Sequence, residues 1–232
     1  MNPFHRQLLV TFARNFAIML LVLTPVALGI GVAGPDGAAT TSRPGSLPMT
    51  LTTLQLAAAA AVLPLVFLIA TLVTVGDLAR YGEIGALQAA GWSPLRIFLP
   101  LIAMGLAGSV ASAFLKPAAS GNFTALSGYV DRAALTALHG ARAATLGCLL
   151  AVLTAVPLAA TMRRRDPFVG FGAALGIYVL HQIVTATAFA FGRHGALPPL
   201  MAGWGSTALL VAVVAWLWRR INHDPPRRHR SS

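Results

Sequence analysis

The sequence predicts an all-α integral membrane protein with six transmembrane helices. Apolar residues make up 56% of the 232-residue chain and charged residues only 10%, against about 25% charged in a typical soluble domain. The apolar residues are concentrated in long runs, and in lipid a single run can satisfy its backbone hydrogen bonds only as a helix. Alanine-rich runs such as residues 56–62 also favour helix over strand.

A transmembrane helix needs about 20 predominantly apolar residues. Six segments meet this criterion, at about residues 12–33, 51–76, 95–115, 141–161, 168–191 and 199–218. The first run is longer than the core of a secretory signal peptide, about 7–15 residues, which favours a retained helix. We therefore expect one transmembrane domain over residues 1–220 and a basic, disordered cytoplasmic tail over residues 221–232.

The distribution of basic residues predicts that both termini are cytoplasmic, because short cytoplasmic loops carry an excess of lysine and arginine. With this orientation, twelve of the seventeen basic residues lie inside: Arg6, Arg14, Arg80, Arg96, Arg163, Arg164, Arg165, Arg219, Arg220, Arg227, Arg228 and Arg230. The other five lie outside: Arg43, Lys116, Arg132, Arg142 and Arg193. Because the net charge of +11 sits beside apolar spans, we expect contact with anionic lipid and not with nucleic acid.

The sequence contains no motif that would make the chain an enzyme. A phosphate-binding loop is absent, and the only lysine, Lys116, is followed by proline. No catalytic triad or carboxylate pair is visible, and His223 and His229 lie in the tail without the neighbours of a metal site. We therefore predict no catalytic residue and no metal. The single cysteine, Cys148, lies in an apolar run and is expected to be a small buried residue.

One ionisable side chain falls inside a predicted span. His181 stands beside Gln182 in the fifth span. Carriers driven by protons or ions usually keep ionisable groups within the membrane. A single histidine is more often a hydrogen-bonded packing residue, so the sequence leaves both interpretations open.

Residues 76–96 predict a short helix between the second and third spans. Gly76 and Asp77 end the second span, and residues 80–90 favour helix. Tyr81, Ile84 and Leu87 recur every three residues and predict one apolar face. The pattern indicates a span, a break, a short helix, a second break and a span.

The ends of this segment carry capping residues. Gly91 is a typical helix C-cap, and Ser93 is expected to N-cap the third span with Pro94 in its first turn. Glu83 is the only carboxylate of the short helix and lies one turn from Arg80. Two interpretations follow: a surface salt bridge on an ordinary loop, or a helix that docks into a groove of a cytoplasmic partner.

Small residues recur in the spans. Gly172 and Gly176 form a G-x-x-x-G pattern, and Gly108 and Ser112 form a related one. Such patterns permit close approach of helices. They predict packing within the chain or across a dimer.

Three segments of the sequence resemble those of a known family. Residues 77–96 look like the coupling-helix region of the LptF/LptG permeases, in which a Glu is followed by Ala-Leu, a Gly, a Ser and a basic residue. Residues 138–165 are similar to that family's fourth span and its exit, and residues 192–204 to its fifth-to-sixth connection. These pieces occur in the family's order.

The resemblance implies a permease subunit of an ABC transporter in the bacterial inner membrane. Such a permease exports a lipid, in the family lipopolysaccharide, and pairs with a second permease subunit as a homodimer or heterodimer. A separate cytoplasmic LptB-like ATPase binds ATP, so no cofactor is expected in this chain. The first and fifth spans would line a lateral gate. The resemblance implies that the residues at the matching positions couple to the ATPase; they are Arg80, Glu83, Leu87, Gly91 and Arg96.

One departure from the family is large. The family carries a periplasmic β-jelly roll between its third and fourth spans, and residues 116–140 are too few for its eight strands. The candidate lipid-headgroup contacts are the basic residues of the outer side, Arg43, Lys116, Arg142 and Arg193. The substrate is thus lipopolysaccharide or another lipid or glycolipid. An alternative is a non-transporting accessory or scaffold subunit of such a complex.

Overall fold

A computed structural model describes residues 3–33, 47–120, 132–161 and 167–223, which form eight α-helices and no strand. The helices are α1 (Pro3–Ala33), α2 (Leu47–Arg80), α3 (Glu83–Ala89), α4 (Pro94–Ser120), α5 (Arg132–Thr145), α6 (Gly147–Thr161), α7 (Pro167–Arg193) and α8 (Pro199–His223).

Five of these helices are long and apolar enough to cross a membrane. Their apolar stretches are Phe4–Ala27, Ala61–Arg80, Pro94–Phe114, Val169–Arg193 and Pro199–Arg220. The predicted all-α, multi-pass membrane fold is therefore confirmed for the described part of the chain. The first stretch begins earlier than predicted, because α1 continues through its polar first turns to Pro3.

The fourth predicted span is corrected by the structure. Residues 141–161 do not form one continuous helix, because α5 and α6 are bent by 45° at a break around Leu146. Counting this bent pair as one crossing gives six spans in the described residues. The apolar run conceals the break, since composition alone does not distinguish one straight helix from two joined pieces.

Serine side chains of α4 contact the backbone groups at the break between α5 and α6. The Leu149 N–H, in the first turn of α6, donates to Ser109 Oγ over 3.0 Å. Ser112 Oγ lies 3.3 Å from the Thr145 carbonyl oxygen at the end of α5. Because lipid offers no water to such groups, partners of this kind are what makes a break tolerable at membrane depth.

The centre of the bundle is formed by α2 and α6. Helix α2 packs against α1, α4 and α6, and α6 packs also against α7 and α8. Phe67 of α2 is buried against the rings of Phe12 and Phe16, at centroid distances of 5.8 and 4.9 Å. Cys148 is fully buried, which confirms the prediction for this residue.

Helices α1 and α7 lie at the periphery. Only 6% of the apolar stretch of either helix is buried, against 56% for α2. Large apolar side chains on these two helices are exposed, among them Val10, Ile18, Leu21, Val179, Leu180 and Ile183. Such surfaces are compatible with lipid or with a second membrane subunit.

Several predictions concern residues outside the described ranges. These are Arg43, the cluster of Arg163 to Arg165, and residues 224–232 of the predicted tail. The first residues of that tail, up to His223, belong to α8. The side of the membrane on which each terminus lies stays a prediction.

Gly108 tests the packing of the core. A Cβ at this position would run into the Phe67 ring, which its aromatic neighbours hold in place. We expect Gly108→Ala to destabilise the protein by about 1–3 kcal/mol through overpacking, seen as a lower thermal unfolding midpoint in detergent. The control is Gly172→Ala, where a Cβ meets nothing within 4 Å. Equal midpoints for the two variants would contradict this packing.

Candidate functional site

The short helix α3 is bounded by two glycines with left-handed backbone conformations. Gly82 precedes α3 with φ 75° and Gly91 follows it with φ 85°. The Gly91 N–H donates to the Gln88 carbonyl and the Trp92 N–H to the Leu87 carbonyl, each over 3.0 Å. These two bonds form a Schellman motif, in which a glycine is favoured. The predicted C-cap at Gly91 is confirmed.

The next helix starts as the sequence predicts. Pro94 is the first residue of α4, and the Arg96 N–H lies 3.4 Å from Ser93 Oγ. Ser93 therefore N-caps α4. Only four residues separate α3 from α4, so the position of α3 is tied closely to that helix.

One face of α3 is anchored in the protein. Ile84 is only 6% exposed, and Leu87 and Trp92 pack against the core. The prediction that Tyr81 belongs to this apolar face is wrong, because its side chain is 81% exposed. The reason is that α2 continues to Arg80, and the turn at Tyr81–Gly82 breaks the helical phase before α3 begins.

The opposite face of α3 carries exposed charge. Glu83 is its first residue, Arg80 ends α2 and Arg96 lies in the first turn of α4, and all three side chains are exposed. Among the described residues neither Arg80 nor Glu83 forms an ion pair. The interpretation of this pair as a surface salt bridge is therefore not supported.

Trp92 connects the α3–α4 junction to the start of α1. Its ring meets the rings of Phe4 and His5 edge-on, at centroid distances of 6.3 and 5.7 Å. The Arg96 guanidinium lies 5.1 Å from the centre of the same ring. The sequence reasoning missed this cluster. Its only signal was an aromatic pair at the N-terminus and a tryptophan just after a helix C-cap.

A small cavity lies beside α3. Its volume is about 180 Å³, and its lining includes Phe4, Gln7, Thr11, Asp77, Tyr81 and Glu83. Both acidic residues of this region, Asp77 and Glu83, face it. The cavity thus joins α1, the end of α2 and the start of α3 in one acidic surface.

The basic residues predicted to contact a lipid headgroup lie on separate elements. Arg142 and Arg193 are exposed in the last turns of α5 and α7. Lys116 belongs to α4, and Arg43 lies outside the described residues.

Gly172 and Gly176 are not packed against any other helix among the described residues. Each is exposed on α7, and a Cβ at either position would meet no described atom within 4 Å. Packing of this pair within the described part of the chain is therefore not supported, and packing across a dimer stays a prediction. The tight approaches occur elsewhere: Gly140 contacts Phe189, and a Cβ on Gly203 would lie 2.6 Å from His139 Cβ.

The fold and this site define a class: a multi-pass helical membrane protein with a short, charged helix held between two of its spans. A family model described as lipopolysaccharide export system permease LptF/LptG matches residues 6–118 and 119–220. The chain therefore belongs to the LptF/LptG family, whose members are transporter components and not themselves ATPases. No curated protein matches the chain.

Replacing Trp92 tests whether it joins α1 to α3. We expect Trp92→Ala to accelerate amide hydrogen exchange in α3 and in the first turn of α1, because the variant loses two aromatic contacts of about 0.5–1.5 kcal/mol each. Trp216→Ala is a matched control, since Trp216 also carries an arginine, Arg220, 5.1 Å from its ring centre. If the two variants give the same exchange in α1 and α3, Trp92 does not join these helices.

Proposed function

We propose that this chain is the permease subunit of an ABC exporter that extracts lipopolysaccharide, or a related lipid or glycolipid, from the bacterial inner membrane. Family membership supports the transporter class. The single observation that carries the proposal is α3, a short helix between two spans that exposes Glu83 and is anchored in the core by Ile84 and Leu87. ATP is bound and hydrolysed by a separate cytoplasmic subunit.

The ATPase docks on α3, which acts as the coupling helix. Glu83 contacts basic residues of the ATPase, and Arg80 and Arg96 flank this contact with exposed charge. Leu87 and Gly91 position the helix instead of touching the partner, because Leu87 packs against the core and Gly91 closes the helix. With this division of roles, docking depends on the charged face and rigidity on the apolar one.

Movement of α3 is transmitted to α1. Trp92 contacts the first turn of α1 directly. Further along α1, Asn15 Nδ2 donates to Thr74 Oγ1 of α2 over 3.0 Å in a buried hydrogen bond. Together these contacts tie α1 to α2 before α3 and to the junction that follows α3. A displacement imposed by the ATPase therefore reaches α1, one wall of the proposed lateral gate.

A second permease subunit, identical or different, packs beside α1 and α7. These helices have the most exposed apolar surfaces among the spans, and Gly172 and Gly176 lie open on α7. Small residues of this kind let backbones of neighbouring helices approach closely in lipid. The substrate lipid enters between the first and fifth spans of the paired subunits.

The connection between α4 and α5 is reduced in length relative to the family. Helix α4 ends at Ser120 and α5 begins at Arg132, which leaves eleven residues between them. A jelly roll of eight strands of about 5–6 residues does not fit there. Lipid is therefore released without that domain, and headgroup phosphates are met by the basic residues Arg43, Lys116, Arg142 and Arg193.

The same reduction favours a second candidate function. A chain without the jelly roll could serve as an accessory or scaffold subunit that binds the ATPase but exports nothing. Turnover of ATP stimulated by lipopolysaccharide in reconstituted membranes distinguishes the two functions, because a scaffold gives no stimulation that depends on this chain.

Charge reversal at Glu83 tests the docking role. We expect Glu83→Arg to reduce co-purification of the LptB-like ATPase at least about tenfold, since like charges across an interface repel. The control, Arg219→Glu, inverts an exposed charge at the end of α8 and should leave the complex intact. Retention of the ATPase by monodisperse Glu83→Arg protein would exclude docking through this residue.

A further inference from the structure

A second cavity lies inside the membrane part of the chain. It is enclosed by α2, α5, α6, α7 and α8 and has a volume of about 290 Å³. This volume is close to the lower end of the range for ligand pockets, about 300–1,000 Å³. Most of the wall is apolar, with Pro64, Leu68, Leu150, Ile177 and Leu210 among its residues. The transport role proposed above makes no use of this cavity.

Polar side chains from α7 and α8 converge on the cavity. They are Tyr178, His181, Gln182, Thr185, Ser206 and Thr207. Part of this group is paired internally, because Thr185 Oγ1 donates to the His181 carbonyl over 2.8 Å and lies 3.0 Å from Ser206 Oγ. The pairing fixes the two hydroxyls and does not involve the imidazole of His181.

The imidazole of His181 has an unsatisfied nitrogen. The Ser206 backbone lies against the ring, yet the buried Nδ1 atom has no hydrogen-bond partner among the described residues. His181 is the central residue of the apolar stretch Val169–Arg193. A buried polar atom without a partner costs about 1–3 kcal/mol. The interpretation of His181 as an ordinary hydrogen-bonded packing residue therefore does not account for Nδ1.

The rim of the cavity indicates where a ligand enters. Ala61, Ala144 and Gln182 line the cavity and are also exposed at the surface of the bundle. All three belong to membrane-spanning elements, so this opening faces lipid. A molecule that reaches His181 through it must come from the bilayer.

The lining also defines the charge of the ligand. No aspartate, glutamate, lysine or arginine is among the described residues around the cavity. A phosphate or an ammonium group would be buried there without a counter-charge, which is strongly unfavourable. In contrast, a hydroxyl can donate to Nδ1 and accept from the Gln182 amide, while a hydrocarbon chain lies against the apolar wall.

We infer that this cavity binds an uncharged lipid with a free hydroxyl, which donates its hydrogen bond to His181 Nδ1. The site is separate from the face of α7 proposed to pack beside the second subunit, where Gly172, Leu180 and Ile183 are exposed. It needs neither the ATPase nor the exported lipid. If the cavity does not bind such a lipid, the proposed transport function is unaffected. If the transport function is wrong, the cavity can still bind the lipid.

Photolabelling of the purified full-length chain tests this site. The probe is a diacylglycerol with a diazirine on one acyl chain, presented in phosphatidylcholine nanodiscs, and labelled peptides are mapped by mass spectrometry. We expect labels on the cavity-lining parts of α7 and α8. Unlabelled diacylglycerol should compete with the probe, and phosphatidylglycerol with the same acyl chains should not, because it carries a phosphate.

Three substitutions make the test specific. His181→Leu should weaken diacylglycerol binding about tenfold, equivalent to about 1.4 kcal/mol. Ala144→Leu should block the rim of the cavity. Because Ala144 is exposed, this variant should fold, and it provides the test if His181→Leu does not fold. The control is Thr187→Val, since Thr187 is exposed on α7 and its hydroxyl donates only to the Ile183 carbonyl, over 2.8 Å.

The opposite results would overturn the inference. Labelling spread over the exposed faces of α1 and α7, and unchanged in His181→Leu or Ala144→Leu, would mean that the probe samples bulk lipid. Equal competition by phosphatidylglycerol would mean that the cavity holds an acyl chain and does not recognise a hydroxyl.

Discussion

Inside hydrocarbon no water can hydrogen-bond to an exposed peptide group, so every such group of this chain needs a partner within the protein. The long helices satisfy this requirement by themselves. At the break near Leu146 they do not, and Ser109 and Ser112 of α4 contact the freed backbone groups. Because α4, α5 and α6 meet at these two serines, the same contacts set how the bent pair packs against the rest of the bundle.

The same constraint determines where the chain can be irregular and charged. Between α2 and α4 the backbone turns twice at glycines, and the exposed charges of Arg80, Glu83 and Arg96 surround those turns. An irregular, charged segment of this kind is stable only beside water or another protein. Since Trp92 fixes it to α1, a force applied there has a direct structural route into the spans.

Local signals in the sequence predicted much of this site. Gly91 and Ser93 cap their helices as expected, because capping depends on residues only a few positions apart. What depends on distant residues could not be predicted. The apolar fourth span gave no sign of its break, whose partners lie on α4. Likewise, the unpaired nitrogen of His181 and the open position of Gly172 follow from how α7 packs, which spacing along one helix does not define.

The central claim is that the force of the ATPase enters through α3 and reaches the gate through Trp92. It is tested most directly by ATP turnover of the reconstituted complex, with and without lipopolysaccharide, for wild type, Trp92→Ala and Trp216→Ala. We expect Trp92→Ala to keep the ATPase bound and its basal turnover but to lose stimulation by lipopolysaccharide, while Trp216→Ala behaves as wild type. Full stimulation in Trp92→Ala would contradict the claim.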